Sequence, residues 1–342
     1  MKLTLALRGT YILALAALLT STVFAEPIAM ADSKLYGTEK IQTPIGIINL
    51  IDTYFDNDAS KRLFDEMDYQ RAAQAYIWSM PLVSSAIWRD RQNKAFGVKN
   101  PTDFVVLDTV KQKSGILTPN LTTPYIFNFS TLKSGPIQID YPAGETAGGV
   151  LDFWQRPVVD LGLTGPDKGK GATYIVVGPE DDPSKYKKDG VYVVQSATNN
   201  ILVALRLLSQ DADYYGKFTS EYRMGSVGKE LKPSHFIKNK DVKWLATPPR
   251  DIEYWQTLSD IIQDEPVREI DKGWMAMVAP LGIVKGKSFQ PDDRLKKILL
   301  NGMKMGVSMA IYFDPLLANK IDPPLSPIRA FFVLNGSSLL PA

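Results

Sequence analysis

Short runs of β-favouring residues, separated by turn-forming residues, fill the middle of this 342-residue chain. Between about Phe104 and Arg206 the runs are rich in Val, Ile, Tyr and Phe, and clusters of Gly, Pro and Asp divide them. Their spacing of roughly 10–20 residues favours a mainly antiparallel sheet that folds into a sandwich or a barrel. The predicted strands are Phe104–Val110, Tyr125–Phe129, Ile137–Tyr141, Val150–Trp154, Tyr174–Val177, Val191–Gln195 and Ile201–Leu207.

Helical patterns precede and follow these strands. Ser60 can cap a helix whose apolar positions continue to Pro81, and a further helix follows. Amphipathic spacing returns later in Ile252–Ile262 and in Arg294–Met309. The predicted fold class is therefore α+β: a central antiparallel β sandwich or barrel flanked by helical N- and C-terminal segments. The predicted parts are a signal peptide (1–25), a helical segment (26–100), a β domain (101–210), a second helical segment (211–315) and a tail (316–342).

The first 25 residues have the order of a cleavable signal peptide. Lys2 and Arg8 supply a charged start, Tyr11–Leu19 supplies an apolar core, and small residues lead to Ala25. This apolar core is well short of the ~20 residues that a membrane-spanning helix needs, which disfavours an uncleaved anchor. Cleavage after Ala25 would place the protein in the periplasm or outside the cell, and no later segment has the pattern of a transmembrane helix.

Composition argues against several kinds of site. Two of the 39 Lys and Arg lie in the predicted signal peptide, and the 37 that remain equal the 37 Asp and Glu, so no nucleic-acid partner is predicted. The chain has no cysteine, which excludes disulfides, thiol nucleophiles and thiolate metal sites. The single histidine, His235, lies in polar sequence typical of a loop, where a surface or packing role is favoured over catalysis. No metal site is predicted.

The segment from Thr118 to Tyr125 contains two prolines, which exclude regular helix and stiffen the loop. Asn120, Thr122 and Thr123 can turn polar side chains into a ligand pocket from such a loop. The alternative is an ordinary turn whose side chains satisfy backbone groups, because these residue types dominate turns.

The segment Leu151–Asp160 carries an acid, an indole and a guanidinium at alternate positions. Strand alternation would place Asp152, Trp154 and Arg156 on one face. They could bind a polar ligand beside an apolar wall, or they could form a buried ion pair under an aromatic lid. The glycine-rich segment Gly162–Gly171 suggests either an anion-binding loop or, with more support, a tight connection.

These motifs resemble those of exported bacterial proteins of the family DUF1254, a domain of unknown function. The resemblance runs in order from about residue 42 to 310. The motifs that carry it are Asp68–Pro81, Thr118–Asn120, Asp152–Arg156, Asp160–Gly162, Gly165–Gly171 and Leu281–Asp292. It implies the same fold and export but no settled activity.

Two features depart from the family's pattern. Similar proteins usually carry an aspartate at the position of Thr122, so a carboxylate that served there as acid, base or metal ligand is missing. Similar proteins also continue into a second β domain, DUF1214, near the point where this sequence stops, and the tail 316–342 would be its truncated start. The resemblance thus implies two possible partners, a separate DUF1214-like domain or a second copy of the chain.

Two functions are compatible with these observations. The first is an enzyme, or the remnant of one, acting on a small polar or anionic substrate, with Arg156 holding the anionic group and Asp152 as the base. The second is a non-catalytic binding or assembly module that uses the same pocket, and the sequence indicates no particular cofactor for either. The residues expected to line the pocket are Asn120, Thr122, Thr123, Tyr125 and Trp154.

Overall fold

The computed structural model describes residues 39–51, 54–116, 119–120, 122–209, 211–238 and 241–312, with side chains to residue 310. The predicted signal peptide, the tail 316–342 and Thr118 lie outside these ranges. Internal contacts divide the chain into two compact units, Met1–Glu66 and Met67–Ala342. In the described ranges no helix is both long and apolar enough to cross a membrane.

The first unit contains a three-stranded antiparallel sheet of β1 (Glu39–Thr43), β2 (Gly46–Ile51) and β3 (Tyr54–Phe55). A tight turn joins its first two strands, and Gly46 at a φ of 102° accepts a bond from the Thr43 hydroxyl at 2.6 Å. The helix α1 (Asn57–Phe96) begins in this unit and continues into the second. The run Ile47–Ile51 predicts one of these strands, so the N-terminal segment contains strands as well as the predicted helix.

The second unit contains two sheets. The six-stranded sheet has the order β13-β4-β5-β11-β7-β8 and the four-stranded sheet the order β10-β9-β6-β12. The strands are β4 (Asp103–Leu107), β5 (Tyr125–Thr131), β6 (Ile137–Tyr141), β7 (Thr146–Asp152), β8 (Pro157–Gly162), β9 (Ala172–Val177), β10 (Val191–Gln195), β11 (Asn200–Leu207), β12 (Arg223–Ser226) and β13 (His235–Ile237).

The central strands of the six-stranded sheet are apolar on both faces because helices cover one face and the four-stranded sheet covers the other. In β4, Phe104 and Val106 join the core shared with the four-stranded sheet, whereas Val105 and Leu107 join the core shared with the helices. Side chains alternate between the two faces of a strand, so a strand covered on both faces reads as a continuous apolar run. The result is three layers: helices, the six-stranded sheet and the four-stranded sheet.

The helical layer is built mainly from the second part of α1, α4 (Ile252–Asp264), α5 (Lys272–Val278) and α6 (Asp293–Tyr312). Two shorter helices, α2 (Val110–Lys113) and α3 (Ala212–Glu221), connect strands. The helix α1 continues through Pro81, where the sequence predicted a break. One lost backbone bond is tolerated there because side chains on both sides of the proline, such as Met80 and Leu82, are buried.

The predicted α+β class is confirmed, and so is the packing of two β layers. The sheets are not closed into a barrel. Two pairs of strands are parallel, β9 with β10 and β4 with β13, and the strands β12 and β13 come from the segment 211–315. All of the predicted strands exist. Ile137–Tyr141 and Val191–Gln195 have the predicted ends, whereas each of the other five differs by one to four residues at one end or both.

Candidate functional site

The proline-flanked loop forms a turn centred on Asn120. The side-chain oxygen of Asn120 accepts bonds from the backbone N–H of Thr122 at 3.0 Å and of Thr123 at 2.7 Å, and from the Thr123 hydroxyl at 3.0 Å. The backbone N–H of Asn120 donates to the Tyr125 hydroxyl at 3.2 Å. Among the described residues, the side-chain amide nitrogen of Asn120 is buried and has no partner.

Two buried cations contact the ring of Tyr125. The Lys113 ammonium lies 5.8 Å from the ring centroid, and the Arg206 guanidinium carbon lies 5.6 Å from it. Lys113 is 1% exposed and Arg206 is 8% exposed. Both cations also contact Thr123: Lys113 donates to its carbonyl at 2.9 Å, and Arg206 donates to its hydroxyl oxygen through two nitrogens, at 3.2 and 3.0 Å.

Local structure fixes both cations in place. Tyr125 and Arg206 are directly paired partners on β5 and β11, on the face of the sheet that the helices cover. Lys113 ends the short helix α2, whose start is held by a reciprocal cap between Thr109 and Gln112. The site, hereafter the cation cluster, consists of Lys113, Arg206, Thr123, Tyr125 and Asn120.

Among the residues that the structure describes, none supplies a close counter-charge to the cation cluster. Within the described ranges neither Lys113 nor Arg206 has a carboxylate within 4.0 Å, although buried cations usually appear paired. Burial lowers the pKa of Lys113 and the Arg206 charge lowers it further, whereas Asp108 acts in the opposite direction. Asp108 is itself 3.8 Å from the Lys238 ammonium. An anion in the cluster would therefore relieve an existing electrostatic cost.

Asp152 and Arg156 form a closed pair in a turn. The strand β7 ends at Asp152 and β8 begins at Pro157, so these residues do not share one face of one strand as predicted. The Asp152 carboxylate, 3% exposed, accepts two bonds from the Arg156 guanidinium, at 2.9 and 2.7 Å, and one from its backbone N–H at 3.0 Å. Gln155 turns the chain at a φ of 60°. The arrangement resembles the buried ion pair that the sequence left as the alternative, except that the Arg156 side chain is 46% exposed.

Trp154 belongs to a cluster of tryptophans. Its ring lies 5.2 Å from that of Trp78, which in turn stacks on Trp274 at 5.4 Å. The Arg268 guanidinium lies 4.3 Å from the Trp154 ring, so a protein side chain already occupies that face. Trp154 therefore packs beside the turn rather than forming a wall for a ligand held by Asp152.

The predicted site residues fall at two ends of the six-stranded sheet. Asp152 pairs with Ile201 and Tyr125 pairs with Arg206, both across β11. These positions on β11 are five residues apart, which corresponds to about 16 Å at about 3.3 Å per residue. The structure thus brings Asn120, Thr123 and Tyr125 together but separates them from the turn. The expectation of one shared pocket is wrong.

Sequence reasoning missed the two cations that the loop contacts. Arg206 carries a usable signal, because it is the only charged residue in the otherwise apolar run Ile201–Leu207. Lys113 carries none, since it lies in a polar stretch that resembles a solvated surface. Thr122, at the position of the family's aspartate, is exposed and bonds to Asn120.

His235 lies in strand β13 rather than in a loop, and its ring nitrogen is 3.3 Å from the buried carboxylate of Asp103. Its side chain is 70% exposed. The part of the chain that the structure describes contains no group of three His, Asp or Glu side chains that could hold a metal ion.

The glycine-rich segment after β8 is a structural connection. The Asp167 carboxylate, 5% exposed, accepts bonds from the Tyr174 hydroxyl at 2.6 Å and from the backbone N–H groups of Gly162 and Gly171, at 3.0 and 3.3 Å. A carboxylate at the centre of the loop repels an anion, so the tight connection is the better interpretation.

Comparison with known proteins supports the family but not an activity. Residues 101–224 match the model of a family described as "Protein of unknown function (DUF1254)". No curated protein matches the chain. Among solved structures, the VPA0106 protein from Vibrio parahaemolyticus is similar, with a TM-score of 0.55 and 15% identity over 80% of this chain and 68% of that one. At this identity the likeness shows the fold alone.

Proposed function

Because residues 101–224 place this chain in the family DUF1254, whose description assigns no function, we propose a function from the geometry: the protein binds a small anion at the cation cluster. The observation that carries the proposal is a pair of buried cations, Lys113 and Arg206, with no carboxylate in contact among the described residues. This retains the small anionic ligand expected from the sequence but changes the residues that hold it.

The hydrogen-bonding capacity of the cluster suits an anion. The Asn120 side-chain oxygen accepts bonds from four donors of Thr122 and Thr123, which leaves its buried amide nitrogen as a donor. The ammonium has two protons beyond the one given to the Thr123 carbonyl, and the guanidinium has further N–H groups. A carboxylate or phosphate can accept all of these, and guanidinium favours such planar or tetrahedral oxyanions.

The geometry favours a binding function over a catalytic function that uses Asp152 and Arg156. Those two residues bond to each other at the opposite end of the sheet, and neither reaches the cluster. The cluster itself holds hydroxyl groups of Thr123 and Tyr125 that are engaged in hydrogen bonds. A binding module therefore fits the arrangement better than the acid–base enzyme considered from the sequence. Turnover of a candidate metabolite that survives Asp152→Asn would reopen an enzymatic role at the cluster.

Anion-dependent stability tests the proposal. A ligand that binds only the folded state adds RT ln(1 + [L]/Kd), about 2.7 kcal/mol at one hundred times Kd. Thermal unfolding of the wild type in inorganic phosphate or acetate should therefore show a rising Tm at constant ionic strength. In Lys113→Met and Arg206→Met the anion-dependent increase should be absent.

The matched control is Lys111→Met. Lys111 lies on the same short helix, is 56% exposed and pairs with Asp241 at 2.8 Å. This variant should keep the full response to phosphate. An equal response in the wild type, Lys113→Met and Lys111→Met would show that the effect is nonspecific and would contradict the proposal.

We also propose that the protein acts beyond the inner membrane. The support is the order of charged, apolar and small residues in residues 1–25. Protein recovered by osmotic shock from a bacterial host should begin at Glu26, as read by intact mass. Retention of Met1 in a cytoplasmic fraction would contradict export.

A further inference from the structure

An open cleft lies at the opposite end of the same helix-covered face of the sheet. Its volume is about 240 Å³, and its wall includes Arg89 of α1, Lys99 of the following loop and Asn200 of β11. Asn200 and Arg206 both project from the face of β11 that carries Leu202 in the helical core, but they are separated by six residues, about 20 Å. The cleft is therefore distinct from the cation cluster.

Arg89 is held at the cleft by polar and aromatic contacts. One guanidinium nitrogen, Nε, donates to Asp90 at 2.7 Å, and a second, Nη1, donates to the Asn200 side-chain oxygen at 3.3 Å. The guanidinium carbon lies 5.3 Å from the Phe153 ring. The third nitrogen, Nη2, has no protein acceptor among the described residues, and the side chain is 23% exposed. Arg89 therefore retains donors that a ligand in the cleft can use.

A buried carboxylate fixes the orientation of Asn200. Glu265 is 4% exposed and accepts bonds from the backbone N–H of Asn200 at 3.0 Å and from its side-chain amide nitrogen at 2.6 Å. Arginine only donates hydrogen bonds, so the amide oxygen must face Arg89 and the amide nitrogen faces Glu265. Glu265 thus positions Arg89 through Asn200. Such a relay is what a preorganised binding group requires.

The remaining wall of the cleft has a mixed character. Lys99 adds a second cation, and no carboxylate belongs to the wall. The backbone N–H groups of Lys99 and Asn100 donate to the buried Asp103 at 3.0 and 2.9 Å, which holds their loop in place. Phe129 and Val98 supply apolar surface beside these polar groups.

We infer that this cleft is a second ligand site, which binds a small carboxylate with a short apolar body, the carboxylate lying against Arg89 and Lys99. The two cations match the carboxylate, and the apolar wall matches a carbon chain rather than a bare inorganic ion. The available volume suits a molecule of a few carbon atoms.

The test uses butyrate as the probe and the full mature chain. Saturation-transfer NMR should detect bound butyrate with the wild type. Arg89→Gln should weaken butyrate binding at least tenfold, and Arg89→Lys should recover part of it. Unfolding curves of both variants establish that they fold.

Two controls separate this site from the cation cluster and from surface charge. Lys94→Gln removes an exposed cation on the same helix, and it should leave butyrate binding unchanged. Lys113→Met should still bind butyrate, and adding Arg89→Gln to that variant should weaken the binding. Loss of binding in Lys113→Met alone would assign butyrate to the cation cluster, and undiminished binding in folded Arg89→Gln would overturn the inference.

Discussion

Lys113 and Arg206 lie against the same tyrosine ring and bond to the same threonine. Lys113 comes from a four-residue helix and Arg206 from the end of a central strand, so the fold brings together two cations that are far apart in sequence. Like charges at close range disfavour each other, and burial adds to that cost. This unfavourable electrostatic energy arises at the end of the sheet where the Asn120 turn lies, and it is the physical basis of the proposed anion site.

The stability of the protein should depend on pH through Lys113. Burial holds the pKa of Lys113 below its ordinary 10.5, with Asp108 opposing the decrease and Arg206 adding to it. Between the lowered pKa and 10.5 the unfolded chain holds a proton that the folded chain has lost. The free energy of unfolding, without added anion, should therefore rise with pH in this window. Lys113→Met should lack that component when urea unfolding is compared across pH values.

Above pH 10 a second component has the opposite sign. Burial raises the pKa of several tyrosines, among them Tyr141, Tyr174, Tyr215, Tyr222 and Tyr254. The unfolded chain then loses tyrosine protons first, and stability falls. The wild type and Lys113→Met should share this decline. The difference between their free energies of unfolding therefore isolates the contribution of Lys113. A difference that is flat with pH would contradict the lowered pKa.

Asp152→Ala should reduce stability without affecting the cation cluster. The substitution removes the acceptor of three hydrogen bonds in the β7–β8 turn, but Arg156 is 46% exposed and can be solvated. A cost of about 1–3 kcal/mol is expected in urea unfolding. Phosphate should still raise the Tm of the variant as it does in the wild type. If the folded Asp152→Ala protein lost the phosphate-dependent increase in Tm, the β7–β8 turn would have to be part of the anion-binding site.

Gly302→Ala should destabilise the protein, although alanine favours helices. A Cβ at position 302 in α6 would lie 2.4 Å from the Cβ of Ala72 in α1, closer than side chains pack. Overpacking costs about 1–3 kcal/mol, which exceeds the roughly 1 kcal/mol gained from helix propensity.

The control for this substitution is Gly216→Ala in α3, where an added Cβ meets nothing within 4 Å. That variant should be more stable than the wild type by about 0.4–1 kcal/mol. Differential scanning calorimetry of both variants measures the two shifts. Equal shifts of the same sign would show that α1 and α6 are not closely packed at Gly302.

Much of the sheet was predictable from the sequence, because its signal is local. The runs Ile137–Tyr141 and Val191–Gln195 were placed at their observed ends, since β-branched residues there are bounded by Gly, Pro or Asn. The run Val150–Trp154 was extended too far, because aromatic residues continue past Asp152 into the turn. The backbone turns at Gln155, which has a left-handed conformation. Glutamine is not a residue type that predicts this conformation, so the sequence did not indicate the end of the strand.

The site was less predictable, because it depends on contacts between distant segments. The sequence singled out the loop around Asn120, and the turn contacts expected of such residues occur there. Its partners could not be paired by spacing, since Lys113 and Arg206 meet only through the register of β5 with β11. The prediction that Asp152 and Asn120 share a pocket was wrong. The residues within each segment do not determine at which end of the sheet the segment lies, because strand pairing determines it.

The most direct measurement is an NMR titration of the lysine Cε signals in protein labelled at lysine, assigned with Lys113→Met. Without anion, Lys113 should titrate below the ordinary lysine pKa of 10.5. Saturating phosphate should raise the pKa of Lys113 and shift its signal, whereas phosphate should leave the signal of the exposed Lys111 unchanged. A Lys113 signal that titrates normally and is unchanged by phosphate or acetate would contradict anion binding at the cation cluster.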